Sequence, residues 1–312
     1  MQKKVWMGRR GRIILLIIIA IVVVFAIYIL FSGVHRGVDN GAGQPAPAEP
    51  GGPTAPPDAQ GGAPNDVPLT DESITSLYYY DPANAARYEA FAARRPELAT
   101  EEIIWMVEAN LDLQPYTDAV PAADPESYTV LVNKFFSLDQ DFSPTDLVAI
   151  GNTMMRKDAA AALEEMTGAA ATENIRLWPQ SGYRSFIVQS SLYDQYSANN
   201  GSDAADTYSA RPGFSENQTG LAVDLNSTTD AFEESPEGQW AAENSWLYGF
   251  ILRFTKENTE ITKFGPEPWH FRYIGLEDAT RLKDNGFSSY EEYWVKFVKF
   301  SPPDAAPAAD GG

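Results

Sequence analysis

The chain has 312 residues, with 23 lysines and arginines against 43 aspartates and glutamates, two histidines and no cysteine. The absence of cysteine excludes disulfide bonds, cysteine-ligated zinc and a thiol nucleophile. The acidic balance argues against binding to a phosphate backbone, so no nucleic-acid partner is predicted.

The first 38 residues differ in charge from the remainder of the chain. They hold six basic residues and no acidic one, so the remainder carries 17 basic against 43 acidic residues. Within this region, residues 13–31 read IILLIIIAIVVVFAIYILF, a run of 19 positions without a charge. At about 1.5 Å per residue, the run nearly crosses a hydrocarbon core of ~30 Å. Because five of the six basic residues precede it, the run predicts a transmembrane helix at 13–32 and a cytoplasmic basic tail at 1–12.

A cleaved signal peptide is the alternative interpretation of the same run. The apolar stretch is longer than the ~7–15 residues of a usual signal-peptide core, and no convincing A-x-A cleavage site follows it. The sequence therefore favours an uncleaved, single-pass anchor with a cytoplasmic N-terminus and an extracytoplasmic remainder.

Two segments have the composition of disordered chain. Residues 33–68 are rich in glycine, proline and alanine, and residues 301–312, SPPDAAPAADGG, are similar. Such compositions bury too little apolar surface to fold, and proline keeps them extended. We predict a linker or stalk at 33–68, one folded extracytoplasmic domain at 69–300 and a disordered tail at 301–312.

The first half of the predicted domain is mainly helical in pattern. Helices are predicted from N-cap residues, acidic first turns and helical apolar spacing in TDESITSL, NAARYEAFAARRPEL and ATEEIIWMVEANLDL. Thr100 is the predicted N-cap of the last of these. The segment SYTVLVNKFF predicts a strand, and one or two helices are predicted in SPTDLVAI and RKDAAAALEEMTGAAATEN.

The second half alternates between short strands and helices. Strands are predicted in IRLWPQSGYRS, LAVDLNS and WHFRYIG. Helices are predicted in FIVQSSLYDQYSA, most of SPEGQWAAENSWLYGFILRF, LEDATRLKDNG and SSYEEYWVKF, and Gly286 is the predicted stop of the third. The pattern indicates an α+β domain in which helices flank a small antiparallel sheet.

A few polar residues near the predicted strands are candidates for a site. His270 is the only histidine of the predicted domain, and Glu267 lies three residues before it. Asp224 lies near the end of the strand LAVDL, and Arg184 follows a Ser-Gly turn. Each of these residues alone fits an ordinary structural role. A zinc site built on Asp224 would take an imidazole a few residues earlier, and the chain has Asn217 there.

Three longer motifs give these residues a context: SGYRSFIVQSSLY, YSARPGFSENQTGLAVDL and YGFILRF…EPWHFRYIG. In this order and at these separations, they resemble the VanY-type zinc D-alanyl-D-alanine carboxypeptidases, an M15-like metallopeptidase family. The resemblance extends from about Arg87 to Trp294. It implies a zinc cofactor and a reaction in which zinc-activated water removes the terminal D-alanine of a peptidoglycan stem peptide.

The resemblance also implies a role for each matched residue. Asp224 and His270 match two zinc ligands, and Glu267 matches the general base. Arg184 matches the arginine that holds the substrate carboxylate or the developing oxyanion, a task suited to a guanidinium. Catalytic zinc takes three His or carboxylate ligands and one water, whose pKa it lowers toward ~7. Three further residues match polar positions that line the family's substrate cleft: Gln189, Ser209 and Ser215.

The chain departs from the family pattern at one ligand. Asn217 occupies the position of the first histidine in the family motif S-x-H-x-x-G-x-A-x-D, and an amide oxygen is a poor zinc ligand. Three interpretations stay open. The site binds peptides without hydrolysing them, or oxygen from Asn217 or Glu216 maintains a weakened metal site that still turns over, or the fold serves as an interaction scaffold. Glu216 directly precedes Asn217, so its side chain is expected to point elsewhere unless the turn is remodelled.

Together these patterns predict a single-pass protein of a bacterial cell membrane. Its extracytoplasmic domain is of the D-alanyl-D-alanine carboxypeptidase class, and its predicted partner is a stem peptide ending in D-alanine. Because a zinc ligand is missing, hydrolysis is expected to be lost or impaired, and zinc to be absent or weakly bound. The alternative is an active metallo-carboxypeptidase that releases terminal D-alanine with a modified metal site.

Overall fold

A four-stranded antiparallel sheet carries several of the residues that the sequence singles out. The computed structural model describes residues 67–302. The predicted basic tail 1–12 and transmembrane helix 13–32 lie outside these residues, as do most of the predicted linker 33–68 and tail 301–312. None of the helices within the described part of the chain has the length and apolar character needed to cross a membrane.

Three short helices open the described chain: α1 (Glu72–Thr75), α2 (Ala85–Arg94) and α3 (Thr100–Glu108). All three lie within the predicted helical segments. The prediction of Thr100 as an N-cap is wrong, because α3 begins at that residue and Ala99 stands at the cap. The carboxylate of Glu102 accepts the Ala99 N–H at 2.9 Å, and the Thr100 hydroxyl instead donates to the Val67 carbonyl at 2.6 Å.

The segment after α3 departs most from the predicted elements. It contains a short parallel pair, β1 (Val120–Pro121) and β2 (Phe136–Ser137). Most of the strand predicted in SYTVLVNKFF is wrong, because only its last residue belongs to β2. The side-chain oxygen of Asn133 accepts the N–H groups of Phe135 and Phe136 at 2.9 and 3.2 Å. This local turn competes with strand pairing for the same backbone groups.

The helix predicted in SPTDLVAI is also wrong. Its last four residues form β3 (Leu147–Ile150), which pairs antiparallel with β4 (Thr153–Arg156). Gly151, with a φ of +55°, supplies the left-handed conformation that a two-residue hairpin turn requires. Helix α4 (Lys157–Thr172) follows directly, as predicted.

The central sheet has the strand order β5-β6-β8-β7, and all neighbours are antiparallel. Its strands are β5 (Pro179–Ser181), β6 (Ala222–Leu225), β7 (Phe250–Phe254) and β8 (Glu267–Tyr273). Strands β5, β6 and β8 confirm the three predicted ones. Strand β7 corrects a predicted helix, because Gly249, at a φ of +80°, ends the preceding helical turn. The apolar residues that follow pair with β8, Leu252 opposite Phe271.

The remaining helices confirm the predicted α+β class. They are α5 (Phe186–Asn200), α6 (Ser202–Ala205), α7 (Pro236–Asn244), α8 (Thr259–Thr262), α9 (Leu276–Asp284) and α10 (Tyr290–Tyr293), which continues as a π-helical turn over Trp294–Lys299. Gly286 follows α9 with a φ of +70°, as its predicted role as a stop requires. One hydrophobic cluster joins α2 and α3 to the C-terminal helical segment, and a second joins α4 to the sheet.

A buried carboxylate fastens the C-terminal segment to α3. Glu108 is fully buried and accepts hydrogen bonds from Lys299 Nζ and from Asn84 Nδ2, each at 2.7 Å. The hydroxyl of Tyr88 also donates to it. The ion pair between Lys299 and Glu108 therefore holds the last turn of the described chain. The lysine side chain is partly exposed to water, whereas the glutamate side chain is fully buried.

We expect Lys299→Met to lower the free energy of unfolding, because it leaves a buried carboxylate without its cation. A hydrogen bond to a charged group contributes about 1–3 kcal/mol, and the loss should fall in that range. Urea unfolding of the variant and the wild type measures it. Lys256→Met is the matched control, since the pair between Lys256 and Glu233 is exposed at 3.0 Å and its loss should leave the midpoint unchanged. Equal midpoints for all three proteins would contradict the role given to Glu108.

Candidate functional site

A cavity of about 600 Å³ lies against the ends of β5, β6 and β8. All eight positions that the sequence predicts for the site line this cavity: Arg184, Gln189, Ser209, Ser215, Asn217, Asp224, Glu267 and His270. The fold thus brings together residues spread over almost ninety positions of the chain. Their individual roles stay predictions.

The pairing of β6 with β8 places Asp224 directly opposite His270. Side chains of directly opposed strand residues are close enough to interact. Asp224 Oδ1 lies 3.1 Å from His270 Nδ1, and both side chains are almost completely buried. The predicted carboxylate and imidazole are therefore a hydrogen-bonded pair, set by strand register.

A short helical turn brings a third charged residue to the same imidazole. Ser215 caps a 3-10 turn over Glu216–Thr219, and Glu216 Oε2 lies 3.3 Å from His270 Nε2. The expectation that the Glu216 side chain points elsewhere is wrong. Because successive side chains on a 3-10 turn diverge by about 120° rather than alternating, Glu216 and Asn217 can both line one cavity.

Two buried arginines fix Glu216. Its Oε1 atom accepts from Arg253 Nε at 2.9 Å and from an Arg272 guanidinium nitrogen at 3.1 Å. Arg253 also forms a two-pronged pair with Glu291, at 2.6 and 3.1 Å. Every member of this network is buried, so each charge depends on its partner inside the protein rather than on water.

The two carboxylates hold His270 as a cation. Burial opposes the charged imidazole, but hydrogen bonds to Asp224 and Glu216 outweigh it and raise the pKa of His270 to about 10. Burial also works to raise the pKa of Glu216, yet Arg253 and Arg272 outweigh it and keep that pKa well below its usual range. Glu216 and His270 therefore form a buried ion pair, and each ring nitrogen of His270 has a carboxylate partner.

Glu267 has a different environment from Glu216. Its Oε2 atom lies 3.7 Å from His270 Nδ1, at the N-terminal end of β8. Burial, with the negative charge of Asp224, raises the pKa of Glu267 to about 7 against the opposing effect of His270 and Arg184. A carboxyl group with such a pKa can accept or hold a proton near neutral pH, as a general base must.

The predicted substrate-binding residues form one polar wall of the cavity. The guanidinium of Arg184 donates to Gln189 Oε1 at 2.8 Å and to Ser181 Oγ at 3.1 Å, and lies 4.0 Å from Asp224 Oδ2. Gln189 in turn donates to the Ala210 carbonyl at 2.7 Å and is 3.4 Å from Ser209 Oγ. Arg184 is thus oriented by two neutral acceptors, and its side chain stays partly exposed.

Another part of the cavity lining depends on a lysine that sequence reasoning missed. Lys134 is 4% exposed, and its Nζ donates to the carbonyls of Asp206 and Lys263 at 2.7 and 2.5 Å. The same nitrogen lies 4.1 Å from the centre of the Phe264 ring, which lines the cavity. Burial lowers the pKa of Lys134 to about 8. This residue ties together the two loops that precede Ser209 and Glu267.

The donor set does not fit the zinc ion that the sequence resemblance implies. Catalytic zinc takes three His or carboxylate donors, and Asp224 and His270 supply two. At the third position, the Asn217 amide nitrogen donates to the Gly182 carbonyl at 2.9 Å, and its oxygen accepts from Ser215 Oγ at 3.3 Å. Among the described residues, no group of three or more His, Cys, Asp or Glu side chains is arranged to hold a metal ion.

Comparison with known proteins places this site in a family. A sequence profile for VanY, a D-alanyl-D-alanine carboxypeptidase, matches residues 152–276, which include all eight site residues. YodJ of Bacillus subtilis (strain 168), provisionally named a carboxypeptidase, is 38% identical over 192 residues, 56% of this chain and 70% of YodJ. The chain belongs to the VanY family.

Two solved VanY-family structures are similar to this chain. The LdcB LD-carboxypeptidase, whose structure reveals the molecular basis of peptidoglycan recognition, is 36% identical and covers 58% of this chain and 95% of its own, with a TM-score of 0.53. A mutant of the vancomycin resistance D,D-pentapeptidase VanY from a VanB-type cassette, in complex with Zn(II), is 32% identical and covers 53% and 98%, with a TM-score of 0.48. The likeness to LdcB agrees with the α+β class.

Within this VanY-family site, sequence reasoning missed the two arginines and Glu291. A signal for them was present, because Arg253 and Arg272 interrupt the otherwise apolar strands FILRF and HFRY. A charge in the middle of a buried strand requires a buried partner of opposite sign. The partners, Glu216 and Glu291, come from a turn and a helix that no local pattern connects to these strands.

We expect Glu216→Gln to destabilise the protein strongly, because it leaves two buried guanidinium groups with one carboxylate. Breaking a buried pair by removing one partner costs about 3–5 kcal/mol. Urea unfolding in the presence of EDTA measures the loss. Glu267→Gln is the matched control, because the ionised form of this carboxyl is disfavoured by burial, and its replacement should leave the midpoint unchanged or raise it. Similar losses in the two variants would contradict the distinction drawn between the glutamates.

Proposed function

We propose that this chain is a membrane-anchored, extracytoplasmic binding protein for peptidoglycan stem peptides that end in D-alanine, with hydrolysis lost or impaired. The observation that carries the proposal is that the polar wall of the cavity is complete, whereas the set of zinc donors is not. Arg184, Gln189 and Ser209 line a cavity of about 600 Å³ and are joined by hydrogen bonds, while Asn217 replaces a metal-binding imidazole.

The ligand class follows from the family and from the charge of the wall. Relatives of the chain include an LD-carboxypeptidase known for peptidoglycan recognition and a D,D-pentapeptidase. A guanidinium that already donates to Gln189 and Ser181 still has N–H groups to offer a carboxylate, and Arg suits a two-pronged grip. The terminal carboxylate of a D-alanine peptide supplies that partner.

The loss of hydrolysis follows from the chemistry of the donors. Asn217 uses both halves of its amide within the protein, and an amide is a weaker zinc donor than imidazole. His270 is hydrogen-bonded by a carboxylate on each side.

The anchor and the location rest on the sequence alone. The uncharged run in 13–32, preceded by basic residues, supports a single-pass helix with a cytoplasmic N-terminus. The composition of 33–68 supports a stalk that separates the domain from the membrane. A bacterial cell membrane is the location that a stem-peptide ligand requires.

We expect the full chain, with added zinc, to release no D-alanine from a stem pentapeptide, whereas Asn217→His restores release. The variant regains a third ligand beside an arginine wall that is already in place. Chromatographic or enzymatic detection of free D-alanine measures the reaction. The double variant Asn217→His with Glu267→Gln is the matched control, and it should again release none because the general base is gone.

Each alternative gives a different result in the same assay. D-alanine release by the wild type would establish a working metallo-carboxypeptidase with a modified site and overturn the proposal. If Asn217→His releases no D-alanine and the wild type shows no calorimetric binding of the pentapeptide, the fold serves as an interaction scaffold. That result would also overturn the proposal.

A further inference from the structure

We infer that Asn217 is a positioning residue for Arg184. Its side-chain amide keeps the N–H donor of the imidazole that it replaces, without the metal-binding nitrogen. This inference rests on the proposed peptide-binding function and deepens it. It concerns how the binding wall stays ordered in a VanY-family site that lacks a full set of zinc donors.

Asn217 bonds to the chain on both sides of Tyr183. Its side-chain amide nitrogen donates to the Gly182 carbonyl at 2.9 Å, and its main-chain carbonyl accepts the Arg184 N–H at 3.0 Å. The orientation of the amide is fixed, because the Gly182 carbonyl can only accept and must face the nitrogen. One residue thus links the turn Glu216–Thr219 to the segment that carries Arg184.

The segment that receives these bonds has little room to move in any other way. The Tyr183 N–H donates to the Met154 carbonyl at 2.8 Å. A methyl group built on Gly182 would lie 2.7 Å from that same carbonyl and 2.8 Å from Thr153 Oγ1. The segment from Gly182 to Arg184 therefore packs against β4 on one side and is hydrogen-bonded to Asn217 on the other. Arg184 extends from this point into the cavity, toward Gln189.

The chemistry of the replacement explains why an asparagine fits here. A metal-binding histidine usually donates its second ring N–H to a carboxylate or a backbone carbonyl. The amide nitrogen of asparagine stands at the same branch point as Nδ1 of histidine, and asparagine has no atom that corresponds to Nε2. Asn217 can therefore keep a donor on the Gly182 carbonyl while the metal-binding atom is lost. Alanine at this position would lose both the donor and the metal-binding atom. Aspartate would place a carboxylate oxygen, which accepts hydrogen bonds, against the Gly182 carbonyl oxygen, which also accepts them.

The test measures the preference of the full chain for a free carboxylate. Calorimetry with EDTA compares acetyl-L-Lys-D-Ala-D-Ala with the same peptide ending in a carboxamide. The wild type should prefer the acid, and Arg184→Ala should abolish the preference. Asn217→Ala should weaken binding of the acid about tenfold, the effect of losing a hydrogen bond to a charged group, and leave the amide unchanged. Asn217→His should behave as the wild type, because its Nδ1–H can donate to the Gly182 carbonyl.

Two controls separate positioning from general stability. Gln218 lies on the same turn, and its side-chain nitrogen donates to the carbonyls of Asp139 and Phe142 at 2.9 and 3.1 Å. Gln218→Ala therefore removes the same kind of bond without touching the Arg184 segment, and the preference for the acid should persist. The double variant Arg184→Ala with Asn217→Ala should bind no more weakly than Arg184→Ala alone, because residues that act as one unit are not additive.

A second measurement needs no ligand. Amide hydrogen exchange at Tyr183 and Arg184 should become at least about tenfold faster in Asn217→Ala, since local opening governs exchange, and stay unchanged in Asn217→His and Gln218→Ala. If Asn217→Ala does not fold, Asn217→Asp takes its place in both measurements.

The outcomes distinguish this inference from the proposed function. Binding of neither peptide by the wild type would defeat the peptide-binding function, and exchange alone would then decide whether Asn217 positions the segment. A wild-type preference for the acid that survives Asn217→Ala, or that Gln218→Ala reduces equally, would overturn the inference and leave the proposed function intact. Unchanged exchange in Asn217→Ala would overturn it as well.

Discussion

The row of hydrogen-bonded side chains from Asp224 through His270 to Glu216 is the constraint on which the site depends. Strand register fixes the first contact, at 3.1 Å, and a capped 3-10 turn fixes the second, at 3.3 Å. Arg253 and Arg272 make the second contact rigid, because Glu216 cannot move without leaving buried guanidinium groups unpaired. Contacts between protein side chains alone therefore order this part of the cavity.

That order bears on the question of a metal. In a zinc peptidase, the ion binds three protein ligands, and outer-shell hydrogen bonds orient those ligands. Here the imidazole has a carboxylate at each nitrogen, and Asn217 is bonded to Gly182 and Ser215. The arginine wall is held in the same way, through Gln189 and Ser181. Protein contacts thus order this site whether or not an ion is present, which the proposed recognition of a peptide carboxylate requires.

The sequence was sufficient for the parts of the fold that local patterns determine. Amphipathic spacing and caps predicted most helices, and the apolar runs around Asp224 and His270 predicted β6 and β8. It failed where side chains compete with the backbone, as at Asn133, and where a glycine in the left-handed region reverses the chain, as at Gly249. Long motifs pointed to the eight residues that line the cavity. They did not reveal that Glu216 pairs with Arg253 and Arg272, because this pairing joins positions far apart in the chain.

The zinc content of the full chain tests the central claim most directly. The protein would be dialysed against zinc and then against zinc-free buffer, and the metal measured by elemental analysis, with Asn217→His treated in parallel. Two zinc donors cannot offset the dehydration of the ion, so the account expects well under one zinc per wild-type chain and a much higher content in the variant. Stoichiometric zinc in the wild type would contradict it, because a third donor, such as an oxygen of Asn217 or Glu216, would then have to complete the site.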